Sequence, residues 1–207
     1  MESPPPVSRL RATFRLECPA GCAPFPANQC DTILRRAVLD AIALANNAAS
    51  KLTAAKRDTE TIRLFRFFFG HDPSRPVSWA NNQQSGVIVA KRFLKCAQEL
   101  GGGRRTLYRC GCPGANPGVR ARTINPTEVR LCPMFWGASP QPGLSARFFR
   151  AGVILHEMLH QLFIEFLLHD PNERRRNNAH CFEAFAMRLA GHAADRSDVR
   201  QCVDLPT

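Results

Sequence analysis

Two histidines four residues apart, His156 and His160, sit within a strongly apolar run that includes Val153, Ile154, Leu155, Leu159, Leu162, Phe163, Phe166, Leu167 and Leu168. A helix places residues i and i+4 one above the other on a single face, and a helix this apolar has to be buried. Burying two imidazoles together with the carboxylate of Glu157 is costly unless each finds a partner. A metal ion is such a partner: both imidazoles can converge on one Zn²⁺, and Glu157 then lies beside them, facing the water that the metal activates. His156-Glu157-Met158-Leu159-His160 is thus the H-E-x-x-H arrangement, in which the glutamate is the general base of a metallopeptidase. The alternative, core histidines satisfied by hydrogen bonds, has to satisfy three polar groups inside a hydrophobic helix without that cation.

The rest of the chain bounds this reading. Its 207 residues suit one domain with a real core, and 28 Lys and Arg against 17 Asp and Glu leave a net charge of +11. Such a charge suits an acidic substrate, a charged cell envelope or nucleic acid, and it equally keeps a secreted domain soluble. No uninterrupted run of eighteen apolar residues occurs, so no membrane span is expected. Nine cysteines argue for an oxidising compartment, secreted, extracellular or periplasmic, and for a disulfide framework with at least one thiol left over. Cys110-Gly-Cys112 and Cys18-x₃-Cys22 lack the paired C-x₂-C spacing of a zinc ribbon. Met1 is followed by Glu-Ser-Pro-Pro-Pro rather than by a basic and then apolar signal region, so the route of export is not visible.

Local patterns predict an α+β fold. Residues 1–29 hold six prolines and read as an extended arm, with Leu10 to Leu16 alternating like an edge strand; residues 30–207 read as the single folded domain. A helix capped by Asp31 follows, with Ile33, Leu34, Val38, Leu39, Ile42 and Leu52 forming its stripe and Arg35, Arg36 and Asp40 outside it. Residues 59–69 form a second helix stopped by Gly70; its cluster Phe65, Phe67, Phe68 and Phe69 reads as core in preference to a nucleic-acid platform, so nucleic acid is not the expected partner. A third helix runs from about Asn82 to Leu100, with Val87, Val89, Ala90, Phe93, Leu94 and Ala97 inward, and Gly101-Gly102-Gly103 ends it. Short strands follow at 106–110, 119–124 and 128–132, separated by turn-rich segments. An extended peptide can add to an exposed strand edge near the His156 helix by main-chain hydrogen bonds. Ser145 caps that helix, which has to stop by Asp170 because of Pro171, and a last amphipathic helix spans roughly Asn178 to Ala194.

In order along the chain stand Cys30 before an Ala-rich helix, Phe68-Phe69-Gly70, Cys110-x-Cys112 and Val129-Arg130-Leu131-Cys132-Pro133-Met134-Phe135-Trp136. Then come Ala151-Gly152-Val153-Ile154-Leu155 with the H-E-M-L-H motif, and Asn178-Ala179-His180-Cys181-Phe182-Glu183-Ala184-Phe185-Ala186. This succession, covering about residues 30 to 190, resembles the deuterolysin and lysine-specific metalloendopeptidase family, the aspzincins. The resemblance implies a zincin-like fold, mostly helical with a small sheet over the active-site helix and stabilised by disulfides, that hydrolyses internal peptide bonds with Zn²⁺. It also implies the pairs Cys112–Cys132 and Cys30–Cys110. One departure bears on the site. The family's G-T-x-D-x-x-Y-G element, which supplies the third zinc ligand and a tyrosine, has no counterpart in Leu162–Asp170, and the chain's one tyrosine is Tyr108.

A catalytic zinc site needs three protein ligands and an open position. His156 and His160 supply two. His180 leads for the third, because imidazole is a good zinc ligand and replaces an acid that the resemblance places there. Asp170, Glu183 and His169 remain alternatives, and Glu183 equally suits support of a ligand or a substrate-binding pocket. The expected function is a zinc metalloendopeptidase acting on a protein or peptide substrate, with Glu157 as base. Two other readings stay open: a narrow-target effector protease delivered by a larger secretion system, and a non-enzymatic binding module on the same fold. An intact Glu157 has no use in the latter.

Overall fold

A computed structural model of the chain describes residues 13–18, 25–137, 141–163 and 178–203. His169, Asp170 and the Arg174–Arg176 loop lie outside the described residues. The fold is α+β, mostly helical with one small four-stranded sheet.

Helix α1 (Ala27–Thr53) begins four residues before the expected cap. Pro26 takes the N-cap position with φ −67°, since its fixed φ suits a helix start and it has no N–H to leave unpaired. Asp31 instead lies one turn inside and pairs with Arg35 at 3.1 Å. The small residues Ala37, Ala41, Ala45 and Ala48 are all buried and let neighbouring helices approach closely. Asp40, expected on the outer face, is buried: Arg147 donates to it twice, at 2.6 and 2.7 Å, and this bidentate pair makes its burial tolerable.

Helix α2 (Thr59–Phe69) has the predicted bounds. The Asp58 carboxylate accepts the Thr61 N–H at 2.7 Å, and Gly70 closes the helix at φ 76°, the left-handed value that favours glycine. Phe65, Phe68 and Phe69 are core, as expected; Phe67 is half exposed. A two-residue hairpin (β2, Pro76–Val77; β3, Gln83–Gln84) leads to α3 (Ser85–Gln98), which packs along α1. Leu94 is exposed rather than inward, because Phe93 already fills the buried stripe at that turn.

The sheet has the order β1-β4-β6-β5, built from β1 (Phe14–Glu17), β4 (Thr106–Cys110), β6 (Glu128–Leu131) and β5 (Ala121–Asn125). The first three are parallel, and β5 is antiparallel to β6. The short strand seen in the proline-rich arm therefore joins the sheet at one edge, and β5 forms the other. Register brings Leu16, Tyr108, Val129 and Thr123 into one row across the sheet. In that row Tyr108 and Val129 are buried.

After the short α4 (Pro133–Trp136), helix α5 (Ala146–Phe163) carries the His-Glu motif, with Ser145 Oγ accepting the Phe148 N–H at 3.3 Å. Helix α6 (Ala179–Leu189) starts at the Asn178 cap but stops short of Ala194, because Gly191 turns the chain at φ 79°. The chain then forms α7 (Arg196–Val203), a helix the sequence pattern did not reveal.

Disulfides join Cys112–Cys132, as the resemblance implied, and also Cys18–Cys110 and Cys181–Cys202. The implied Cys30–Cys110 pair is therefore wrong. Parallel pairing of β1 with β4 sets Glu17 opposite Arg109 and brings the next residues, Cys18 and Cys110, within 4.9 Å between Cα atoms. Among the described residues Cys96 is the free thiol, buried on α3. Among the described residues no helix is long and apolar enough to cross a membrane.

Candidate metal centre

Helix α5 presents His156, Glu157 and His160; α6 presents His180 and Glu183; α7 adds Asp198. His156 Nε2 and His160 Nε2 stand 3.0 Å apart, as i, i+4 spacing on one helix face dictates. The His156 and His180 rings meet edge to face, inclined at 63° with centroids 4.4 Å apart, so α6 does pack its histidine against the motif. Ligand atoms of His156, His180, Glu183 and Asp198 all lie within 4.8 Å of one another. His160 falls outside that group of four and joins the cluster through His156.

Each of His156 and His180 has a carboxylate on its other nitrogen. Glu183 Oε2 lies 3.1 Å from His156 Nδ1, and Asp198 Oδ1 lies 2.7 Å from His180 Nδ1. With Nδ1–H donated to the acid, Nε2 of each ring keeps its lone pair, which is how carboxylates orient metal-binding imidazoles. Glu183 is thus committed to His156 rather than free as a third ligand, although it also lines the cavity described below. Gly152 makes that contact possible. It lies one turn before His156, and a Cβ built on it would meet the Glu183 side chain, with its Cδ at 3.2 Å and Cγ at 3.3 Å.

The charges lean negative. Burial, reinforced by Asp198, pushes the Glu183 carboxyl well above the usual carboxylate range. Asp198 is held below it despite burial, because His180 donates to one oxygen and Arg120 Nη1 to the other at 2.7 Å. Arg120 also pairs with Asp195 at 3.1 Å, so one guanidinium is shared among three acids. A divalent cation is the charge that would let Glu183 ionise too. Burial lowers His156 to about 4, and burial with His156 and His180 nearby lowers His160 to about 4. Both are therefore neutral at neutral pH, the state that binds metal. Neutral imidazoles at His156 and His160, with carboxylates orienting His156 and His180, fit a borderline ion such as Zn²⁺.

No protein-family model matches the chain, and no curated protein is similar to it. The chemistry of the centre therefore has to be read from its own residues. Beside the histidines opens a cavity of about 330 Å³ lined by Arg120, Ala121, Val153, His156, Glu157 and His180 among others. Glu157 is 6 % exposed, and Thr123 Oγ1 on edge strand β5 donates to its Oε2 at 2.7 Å. Tyr108, the remote tyrosine, is fully buried, and burial with the nearby Glu157 charge raises its hydroxyl; it does not line the cavity.

Sequence reasoning missed Asp198, Arg120 and Thr123. Asp198 precedes Cys202 by one helical turn, and Cys202 bonds the residue after His180, a signal readable only once that disulfide is known. Thr123 is visible only through the sheet register.

Proposed function

We propose that the chain is a zinc metalloendopeptidase in which His156, His160 and His180 hold the ion through Nε2, with Glu183 and Asp198 as their carboxylate partners. The observation that carries this reading is the shared cavity wall. Glu157 and His156 line one cavity, at the end of an edge strand that is itself bonded to Glu157.

Bound there, zinc would polarise a peptide carbonyl and acidify the attacking water. Glu157 takes the proton from that water and delivers it to the leaving amine. Thr123 fixes the carboxylate by donating to one oxygen, leaving the other for this work. Strand β5 has a neighbour only on its β6 side among the described residues, so an extended peptide can add to its free edge and lie over the α5 histidines. The cavity beside His156 then receives a substrate side chain. The three disulfides among the described residues suit a chain that works in an oxidising compartment, and we place it outside the cytosol.

The test compares the parent with Glu157→Gln. The variant should retain stoichiometric zinc while cleavage of a denatured protein substrate disappears. Undiminished cleavage by the variant sinks the role of Glu157, and a parent that binds no zinc sinks the reading as a whole.

A further inference from the structure

The Cys181–Cys202 disulfide joins the two helices that meet at His180. Cys181 follows His180 directly, Cys202 lies one turn beyond Asp198, and both are fully buried. The bond therefore fixes the distance between an imidazole and the carboxylate that orients it.

Helix α7 packs on α6 and α2, with Val199 and Val203 against the core, and the disulfide is its covalent tie to α6. At eight residues the helix is too short to persist alone in water. Asp195 caps it by accepting the Ser197 N–H at 2.7 Å, and Arg120 pairs with Asp195 and Asp198 and donates to Ser197 Oγ. Asn178 Nδ2 donates to the Gln201 carbonyl at 3.0 Å. Asp195 and Asp198 are themselves buried, so these contacts lie in the same interior region as the disulfide.

Resting on the metal-centre reading above, we propose that Asp198 is a positioning residue for His180, and that the Cys181–Cys202 bond acts on metal affinity through it. With the bond present, Asp198 holds the His180 ring as its Nδ1–H tautomer with Nε2 turned to the ion. Without the bond, α7 loses its covalent tie to α6, the Asp198–His180 contact loosens, and that orientation is lost.

The test measures zinc affinity by competition with a chromophoric chelator, and the His180 tautomer by ¹⁵N NMR of the metal-free protein. The variants are Asp198→Ala, Asp198→Asn, the double change Cys181→Ser/Cys202→Ser, and that double change combined with Asp198→Ala. Serine is used because free thiols would themselves bind zinc. Asp198→Ala and the double-serine variant should each weaken zinc by roughly 10- to 100-fold, and the combination should be no weaker than either to within about 3-fold, since both act on one contact. Asp198→Asn should recover part of the loss, because its amide oxygen still accepts the Nδ1–H. A Cys18→Ser/Cys110→Ser control, on the far side of the sheet, should keep parental affinity. His180 should show a single Nδ1–H tautomer in the parent and a mixture in Asp198→Ala and the double-serine variant. If the double-serine variant loses its helical circular dichroism, Cys181→Ala/Cys202→Val, which refills the buried space, takes its place. Additive losses overturn the link between disulfide and Asp198. An unchanged His180 tautomer in Asp198→Ala overturns the positioning role, and it does so even in a chain that binds no zinc.

Discussion

Replacing Gly152 with alanine should separate metal affinity from stability. The added Cβ would lie 3.2 Å from Glu183 Cδ and 3.3 Å from Cγ, closer than van der Waals contact, and closest of all to Oε1. The carboxylate has to retreat by about 1 Å, which takes its 3.1 Å contact with His156 Nδ1 beyond hydrogen-bond reach of about 3.5 Å. Glu183 can make that move because its carboxylate is the end of a flexible side chain beside the cavity. The helix itself gains about 1 kcal/mol from losing a mid-helix glycine, offsetting much of the local crowding. Net stability in chelator should therefore change by less than about 1 kcal/mol. Zinc affinity should fall by roughly 10- to 100-fold, or about 1.4 to 2.7 kcal/mol, the range for loss of an outer carboxylate. Urea melts with chelator and competition titrations with zinc measure the two quantities on one preparation. A Gly152→Ala protein with parental affinity would refute the coupling of Glu183 to the metal through His156.

Removing His180 by His180→Ala should cost more than about 100-fold in zinc affinity, beyond the range for an outer partner; a variant with near-parental affinity would move the third ligand elsewhere. In chelator and with Glu183→Gln in place, so that the raised carboxyl no longer opposes the histidines, stability should fall as the pH drops from 7 to 5.5. Unfolded histidines take up protons near 6.5 while burial holds His156 and His160 to about 4, so the unfolded chain binds more protons in that window. A urea midpoint that stays flat between those two values contradicts the buried neutral pair. Away from the site, Asp58→Ala removes the cap of α2 and the acceptor of the buried Thr61 hydroxyl, and should cost about 1 kcal/mol, a fall in Tm of about 2–4 °C.

How much of this was legible depended on how local the signal was. Helix α2 was read to the residue because the phenylalanine stripe and Gly70 each act within one turn. The His156–His160 pair was legible for the same reason, since a single helix dictates its geometry. His180 was a weaker inference, because it depends on α6 packing against α5. Asp198 and Thr123 reach the centre only through a disulfide and a strand register, both long-range. Asp40 misled because Arg147, 107 residues away, turns an apparent surface acid into an interface pair. The Cys30–Cys110 pairing failed similarly, since strand order decides which sulfurs meet, and spacing carries no trace of it.

The free thiol of Cys96 has a consequence for how the chain finds its disulfides. Choosing four pairs from nine cysteines can be done in about 945 ways, against about 105 once the odd thiol is set aside. Cys96 is buried on α3, the helix that packs along α1 fewer than forty residues away in the chain, and burial raises its thiol far out of the reactive range. If that helix pair docks before oxidation is complete, the search narrows about ninefold with no help from an isomerase. Oxidative refolding after Cys96→Ala should then proceed at the parental rate, whereas a substitution that loosens α1 from α3 should slow it by scattering the chain among mispaired isomers.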